Sequence, residues 1–389
     1  MIDCLKFCDC RFLGLELIME NSSENISPVI LHVLPGETGG DTSWFFRQNH
    51  FEQQEILRQV AFKNKYWPGL GNGKFAKRPQ HTYPHILPDG NVRKAYYEPI
   101  ADKVLQYLEE ENIALHTEAL NLKSSQVACF NFLFPIRRDP QLATRLLKPH
   151  FSGMDSVTGI EFEYTGPIEA TKWLGEPLGG KRGQNRTSID AAIFWKDENR
   201  RRHASLIEWK YTEHNFGVCS AFSNGNKEEK AICKSLNVAE DSNPAHICLL
   251  TSGKRHRSRR YWEHMESAGI SLDVFSDVPG CPFQGPFYQL MRQYLLGSYL
   301  QVHNIVDRFE VVSLDFSGNN QLYKIPGHLR PMVNEEDYDV VFLWNTALPD
   351  GNKMRHITVE DLMVSADGVD GIDSEWRAYI QERYGVQAS

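Results

Sequence analysis

Apolar and polar positions alternate most informatively in the middle of the chain. Residues 187–195 and 206–211 are two apolar runs, β-branched or aromatic enough to be strands. Between them, residues 196–203 are wholly polar, which predicts a hairpin loop. Residues 158–164 alternate and predict a strand before that hairpin, with an insertion at 165–186 that holds Gly175, Gly179, Gly180 and Gly183. Helical spacing predicts helices over 98–111, with Ile100, Val104, Leu105 and Leu108 on one stripe, and over 124–134, opened by Ser124 or Ser125. A third helix is expected over 139–148, where Asp139 caps and Pro140 takes the first helical position.

Beyond the hairpin, 227–236 and 261–268 read as helices and 246–251 as a buried strand carrying Ile247, Leu249 and Leu250. Residues 286–301 form an amphipathic pattern with Phe287, Leu290, Met291, Tyr294 and Leu295 on its buried stripe. Strands at 309–316 and 339–344 and a closing helix near 374–383 complete the reading. Residues 20–95 are rich in Gly, Pro, Asn and Ser and read as loops. The fold class is therefore α/β, a mixed sheet flanked by helices. Three regions are expected: a loop-rich 1–114 with one helix, a core at 115–305, and a C-terminal α/β extension at 306–389.

A chain of 389 residues can bury a sizeable core, and 41% hydrophobic with 24% charged residues is ordinary for a globular protein. The formal net charge of −8 argues against a polyanion binder held by global charge, although a local basic groove would be sufficient. No stretch reaches the length of an apolar membrane span, and Asp3, Lys6, Asp9, Arg11 and Glu16 interrupt any leader-like apolar core. The eight scattered cysteines then read as free thiols in a reducing cytoplasm. Cys4, Cys8 and Cys10 cluster, but without the paired spacing and fourth ligand of a zinc site.

A hairpin centred on Asn199 would set Asp190 directly opposite Glu208, with Cβ atoms about 4.5–5.5 Å apart. Lys210 would share a face with Glu208, because side chains alternate along a strand. Two carboxylates and an ammonium would converge in an otherwise apolar hairpin, and something must offset the repulsion. Mg²⁺ suits such a pair, since it takes hard oxygen ligands from one or two carboxylates and completes its shell with water or phosphate. A lysine that is not a ligand could position the attacking water, deprotonate it, or stabilise developing charge. The competing reading of the same residues is a salt-bridged polar patch on an exposed sheet face.

Ser188-Ile189-Asp190, a spacer, then Ile207-Glu208-Trp209-Lys210 resembles the PD-(D/E)XK nuclease superfamily. Ser124-Ser125-Gln126 opening a helix and 286–291 on a late helix make the chain similar to a group of bacterial restriction endonucleases over roughly 115–300. One departure is that Ile189, not proline, precedes Asp190. The resemblance implies an αβββαβ core and metal-dependent hydrolysis of DNA phosphodiesters. It makes Asp190 and Glu208 ligands of Mg²⁺, for which Mn²⁺ would substitute, and gives Lys210 a role at the nucleophile. It also implies a further carboxylate, for which Glu163 is the candidate, with Glu161 on the same strand face and Glu118 as lesser ones.

Two basic clusters could carry the DNA backbone: Lys181, Arg182 and Arg186 beside the first catalytic strand, and Lys254 and Arg255 within the run 254–260. Gln126 and Gln289 are candidate phosphate or water contacts. Double-strand cleavage makes a homodimer plausible. The alternative function is a catalytically silent nuclease-like domain that binds nucleic acid or a protein partner.

Overall fold

The computed structural model describes residues 43–238, 240–241, 243–252, 258–333 and 338–386. At its centre lie five strands in chain order across one sheet: β1 (Met154–Tyr164), β2 (Ile189–Asp197), β3 (Arg202–Trp209), β4 (Arg308–Asp315) and β5 (Arg355–Thr358). β1, β2 and β3 form an antiparallel meander, whereas β3, β4 and β5 run parallel. The helices that frame the sheet are α1 (His50–Tyr66), α2 (Glu98–Glu110), α3 (Ser125–Leu133), α4 (Pro140–Leu147), α5 (Phe287–Val302), α6 (Val340–Thr346), α7 (Val359–Asp367) and α8 (Ser374–Tyr384).

Alternation along the strands explains why both faces are covered. Ala191, Ile193, Trp195, Ile207 and Trp209 point to one side and join a core with α2, α3, α4, α7 and α8. Ala192, Ala204 and Leu206 point to the other and pack with α5 and α6. Parallel neighbours need a long crossover. The one from β3 to β4 occupies 210–307 and ends in α5, which returns the chain across the sheet. This is the mixed sheet flanked by helices that the sequence predicts. No helix among the described residues is long and apolar enough to cross a membrane.

Several expectations fail. Residues 246–251 do not form a strand; they fall in two short helices, Pro244–Ile247 and Leu249–Ser252. The fourth core strand is instead β4, so the expected boundary at 305 runs through the sheet. The expected strand at 339–344 is α6, because Asp339 caps a helix there and accepts a hydrogen bond from Phe342 N at 2.7 Å. The N-terminal region is less loop-rich than expected, since α1 occupies 17 of its residues. Cys4, Cys8 and Cys10 lie outside the described residues.

Candidate active site

The β2–β3 hairpin is built around Asp197. Its Oδ1 accepts from the backbone N–H of Asn199 and Arg201, both at 2.9 Å, and Arg200 takes a left-handed φ of +63°. That turn fixes the register: Ala191 faces Ile207 and Ala192 faces Leu206, so the hairpin is centred on Asn199 and Asp190 comes opposite Glu208. Asp190 Oδ2 accepts from Trp209 N at 2.8 Å. On the other side β1 has Phe162 against Ala191 and Tyr164 against Ile189, which sets Glu163 opposite Asp190. Three carboxylates from three adjacent strands therefore stand in a row at one end of the sheet.

Glu163, Asp190, Glu208 and Lys210 line one polar cavity of about 220 Å³, together with His116, Arg186, Ser188, Glu213, Arg292 and others. Glu208 is 1% exposed. Its Oε1 accepts from Gln289 Nε2 at 2.6 Å and pairs with Lys210 Nζ at 2.5 Å, and its Oε2 accepts from Gln293 Nε2. Gln289, Arg292 and Gln293 are three and four apart on α5 and so share a face. Arg292 Nε reaches Thr187 Oγ1 at 3.1 Å. Burial alone would lower the Lys210 pKa, but the carboxylates of Glu208, Glu213 and Asp190 overcome it and hold the ammonium above the ordinary lysine range. Lys210 thus stays charged near neutral pH, and of the roles open to it from sequence, proton acceptor is the one this surrounding disfavours.

Burial pushes the Asp190 carboxyl well above the usual carboxylate range, and the charges of Glu208 and Glu163 add to it. Glu163 behaves oppositely. Burial would raise it, but hydrogen bonds from His116, Ser188 and Gln126 outweigh that and lower it. Ser188 Oγ donates at 2.6 Å and Gln126 Nε2 at 2.8 Å. Glu163 also holds φ at +46°, a conformation that costs of order 1–3 kcal/mol in a non-glycine residue and that clusters at functional sites. Gly183, itself at φ +83°, passes so close that an added Cβ would lie 3.0 Å from Glu163 Oε2. In the crowded row, then, Glu163 keeps its charge and Asp190 takes the proton.

The family described as "Restriction Endonuclease associating with ARP" has a model that matches residues 47–385. The chain belongs to this family of restriction endonucleases. No curated protein and no solved structure matches significantly. The match takes in α1, the whole sheet and α8, so it covers the parts of the chain that the sequence reading set apart as N- and C-terminal additions.

Within this restriction endonuclease the other expected site residues part ways. Arg186 lines the cavity, with its Nε buried and unpartnered. Lys181 is exposed and outside the lining. Arg182 turns away: it bonds Glu163 O and pairs with Glu111 at 2.7 Å and Glu161 at 3.5 Å, so it braces the loop to β1. Glu161 follows Arg182 rather than Glu163, and both line a separate shallow hollow. Gln126 is buried behind Glu163, where it bonds Ala114 O and His116 N, and does not face the cavity. Glu118 bonds Ala76 N at 3.3 Å. Lys254 and Arg255 lie outside the described residues.

Sequence reasoning missed Gln293, Arg292, His116 and Glu213. The α5 pair had a legible signal, polar residues at helical spacing from Gln289 on an otherwise apolar helix. The loop residues His116 and Glu213 had none. The sequence also gave no hint of what fixes the strand beyond Lys210. Tyr211 OH donates to Glu55 at 2.6 Å and accepts from Gln59 at 2.8 Å, both on α1. Asn319 Nδ2 holds the carbonyls of Tyr211 and Glu213.

Proposed function

We propose that this restriction endonuclease family member is an active, divalent-cation-dependent DNA endonuclease of the PD-(D/E)XK type. The observation that carries the reading is the convergence of Asp190, Glu208 and a charged Lys210 on one polar cavity at the end of adjacent strands. Crowded carboxylates are the setting in which a cation replaces a proton. Among the described residues no three histidine, cysteine or carboxylate side chains converge tightly enough to chelate an ion alone. The fit is therefore to Mg²⁺ held by Asp190 and Glu208, with water and substrate oxygens completing its shell. Such an ion would supply an activated water and neutralise charge on the phosphate.

The chain's own residues do the rest. Lys210, fixed by Glu208 and by Gln289 Oε1 at 3.3 Å, offers an immobile positive charge to the phosphate as negative charge builds. Arg186 presents an unpartnered N–H at the cavity wall, suited to a backbone phosphate oxygen. Glu163, saturated by its own donors, holds Ser188 and His116 in place rather than binding the ion directly. A second reading, the silent nuclease-like fold, draws on Gln289 and Gln293, whose amides occupy both oxygens of Glu208.

Incubation with supercoiled plasmid separates the two. The active enzyme nicks or linearises the plasmid with Mg²⁺ or Mn²⁺, stops with EDTA, and loses the activity in Asp190→Ala; cleavage by neither metal would leave the silent reading standing. DNA binding gives an independent check. Arg186→Ala is expected to lower the slope of log affinity against log salt by about 0.9 if it contacts one phosphate. Arg182→Ala, already committed to Glu111 and Glu161, is expected to leave that slope unchanged.

A further inference from the structure

The segment between β3 and α5 contains a second convergence that the nuclease site does not use. Cys219, Cys233, Cys248 and Cys281 line one apolar hollow with Leu236, Leu250, Tyr261, Phe283 and other side chains. They arrive from four separate stretches: ahead of the helix Ser220–Ser223, within Lys227–Ser235, between the two short helices at 244–252, and ahead of Pro282–Gln284. Of the five free cysteines among the described residues only Cys129 is elsewhere, on α3. Burial raises the thiols of Cys219, Cys233 and Cys281, the second to about 12, and in each case the other thiols of the set add to the rise.

Two observations say that this is more than a patch of core. The helices Ser220–Ser223, Lys227–Ser235 and Pro244–Ile247 have no buried side chains apart from what their flanks supply. A stretch of short helices with so little apolar burial needs another staple, as small domains with thin cores generally do. The chain also goes out of its way to bring the cysteines together. Cys281 N donates to Cys233 O at 2.8 Å, across a crossing that Gly280 permits. Gly280 holds φ at +87°, and a Cβ there would meet Lys234 Cα at 2.9 Å.

We propose that Cys219, Cys233, Cys248 and Cys281 ligate an iron–sulfur cluster. Four thiolates are the usual ligand set of such clusters. A zinc ion would need sulfurs about 2.3 Å from one point, yet no three of these cysteines close in that way. They surround a void of about 30 Å³ instead, more than a single water needs. Each thiol releases its proton to solvent as its sulfur takes an iron. The staple adjoins the nuclease site, because Gly217 N, two residues before Cys219, donates to Gln289, the side chain that holds Glu208.

The test is on the whole chain, purified without oxygen and also reconstituted with ferrous iron and sulfide. The wild type is expected to be coloured by thiolate-to-iron charge transfer and to hold about four irons and four sulfides. Cys233→Ser and Cys281→Ser should each lose most of the iron and colour, while Cys129→Ser keeps both. The readout is metal content, so it stands or falls apart from DNA cleavage. A wild type that takes up no iron overturns the proposal, whether its thiols are free or paired as disulfides. A colourless wild type with one zinc per chain overturns it too, and makes the site mononuclear. If the serine variants fail to fold, the wild-type analysis alone still decides.

Discussion

Lys210→Ala is expected to lower the plasmid cleavage rate at saturating Mg²⁺ by about 10²–10³-fold, the cost of removing one fixed charge-stabilising donor, about 2.7–4 kcal/mol. The reason lies in how the ammonium is held. It sits between Glu208 and Gln289, with the Phe216 ring 5.9 Å away, and the surrounding carboxylates keep it charged. Mn²⁺ affinity, measured by calorimetry, should change little, because Lys210 supplies no ligand. Removing the charge also leaves Glu208 buried without its cation, and breaking such a pair is itself destabilising. Lys210→Arg guards against that ambiguity. It keeps the charge and the fold but alters where the charge lies, and it should remain far slower than wild type while melting close to it. Wild-type cleavage by either variant would remove Lys210 from the reaction.

The residues that make this site legible in the sequence are those whose signal is local. A polar loop between two β-branched runs fixes the hairpin, and the hairpin fixes the meeting of Asp190 and Glu208. Ser124 and Asp139 cap their helices as N-cap chemistry requires. The failures have physical reasons too. The apolar runs at 246–251 and 339–344 are short, and a short apolar run does not distinguish a strand from a buried helix turn. Helix α1 escapes because its buried positions include Glu55, Gln59 and Lys63, four apart, so its helical period is written in polar residues. Those side chains are buried because Tyr211, Arg383, Asn72 and backbone carbonyls satisfy them, contacts 9 to 324 residues distant. Glu163 could be named as a candidate, but its left-handed backbone and three donors depend on His116, Gln126 and Ser188 coming together only in the fold.

Asp190→Asn should trade function for stability. In the metal-free chain the Asp190 carboxyl is raised above its ordinary value by burial and by Glu208 and Glu163. A carboxyl raised on folding favours the folded state fully only below its unfolded pKa. Its contribution is then lost as pH climbs from the ordinary carboxylate range to the raised value. At neutral pH in EDTA the wild type therefore carries the penalty, and Asp190→Asn, which cannot ionise, should be more stable by about 0.5–2 kcal/mol. Its denaturant midpoint should also vary less with pH above the ordinary carboxylate range. Adding Mg²⁺ or Mn²⁺ should reverse the order, stabilising the wild type by mass action while leaving Asp190→Asn almost unmoved. Cleavage should be lost in the variant throughout, because the amide removes a charged oxygen ligand. A variant no more stable than wild type in EDTA, or equally stabilised by Mn²⁺, would mean that Asp190 carries neither the strain nor the ion. The crowding of Glu163, Asp190 and Glu208 would then need a structural explanation. If both halves hold, the repulsion built into the sheet end is what makes the site receptive to a cation.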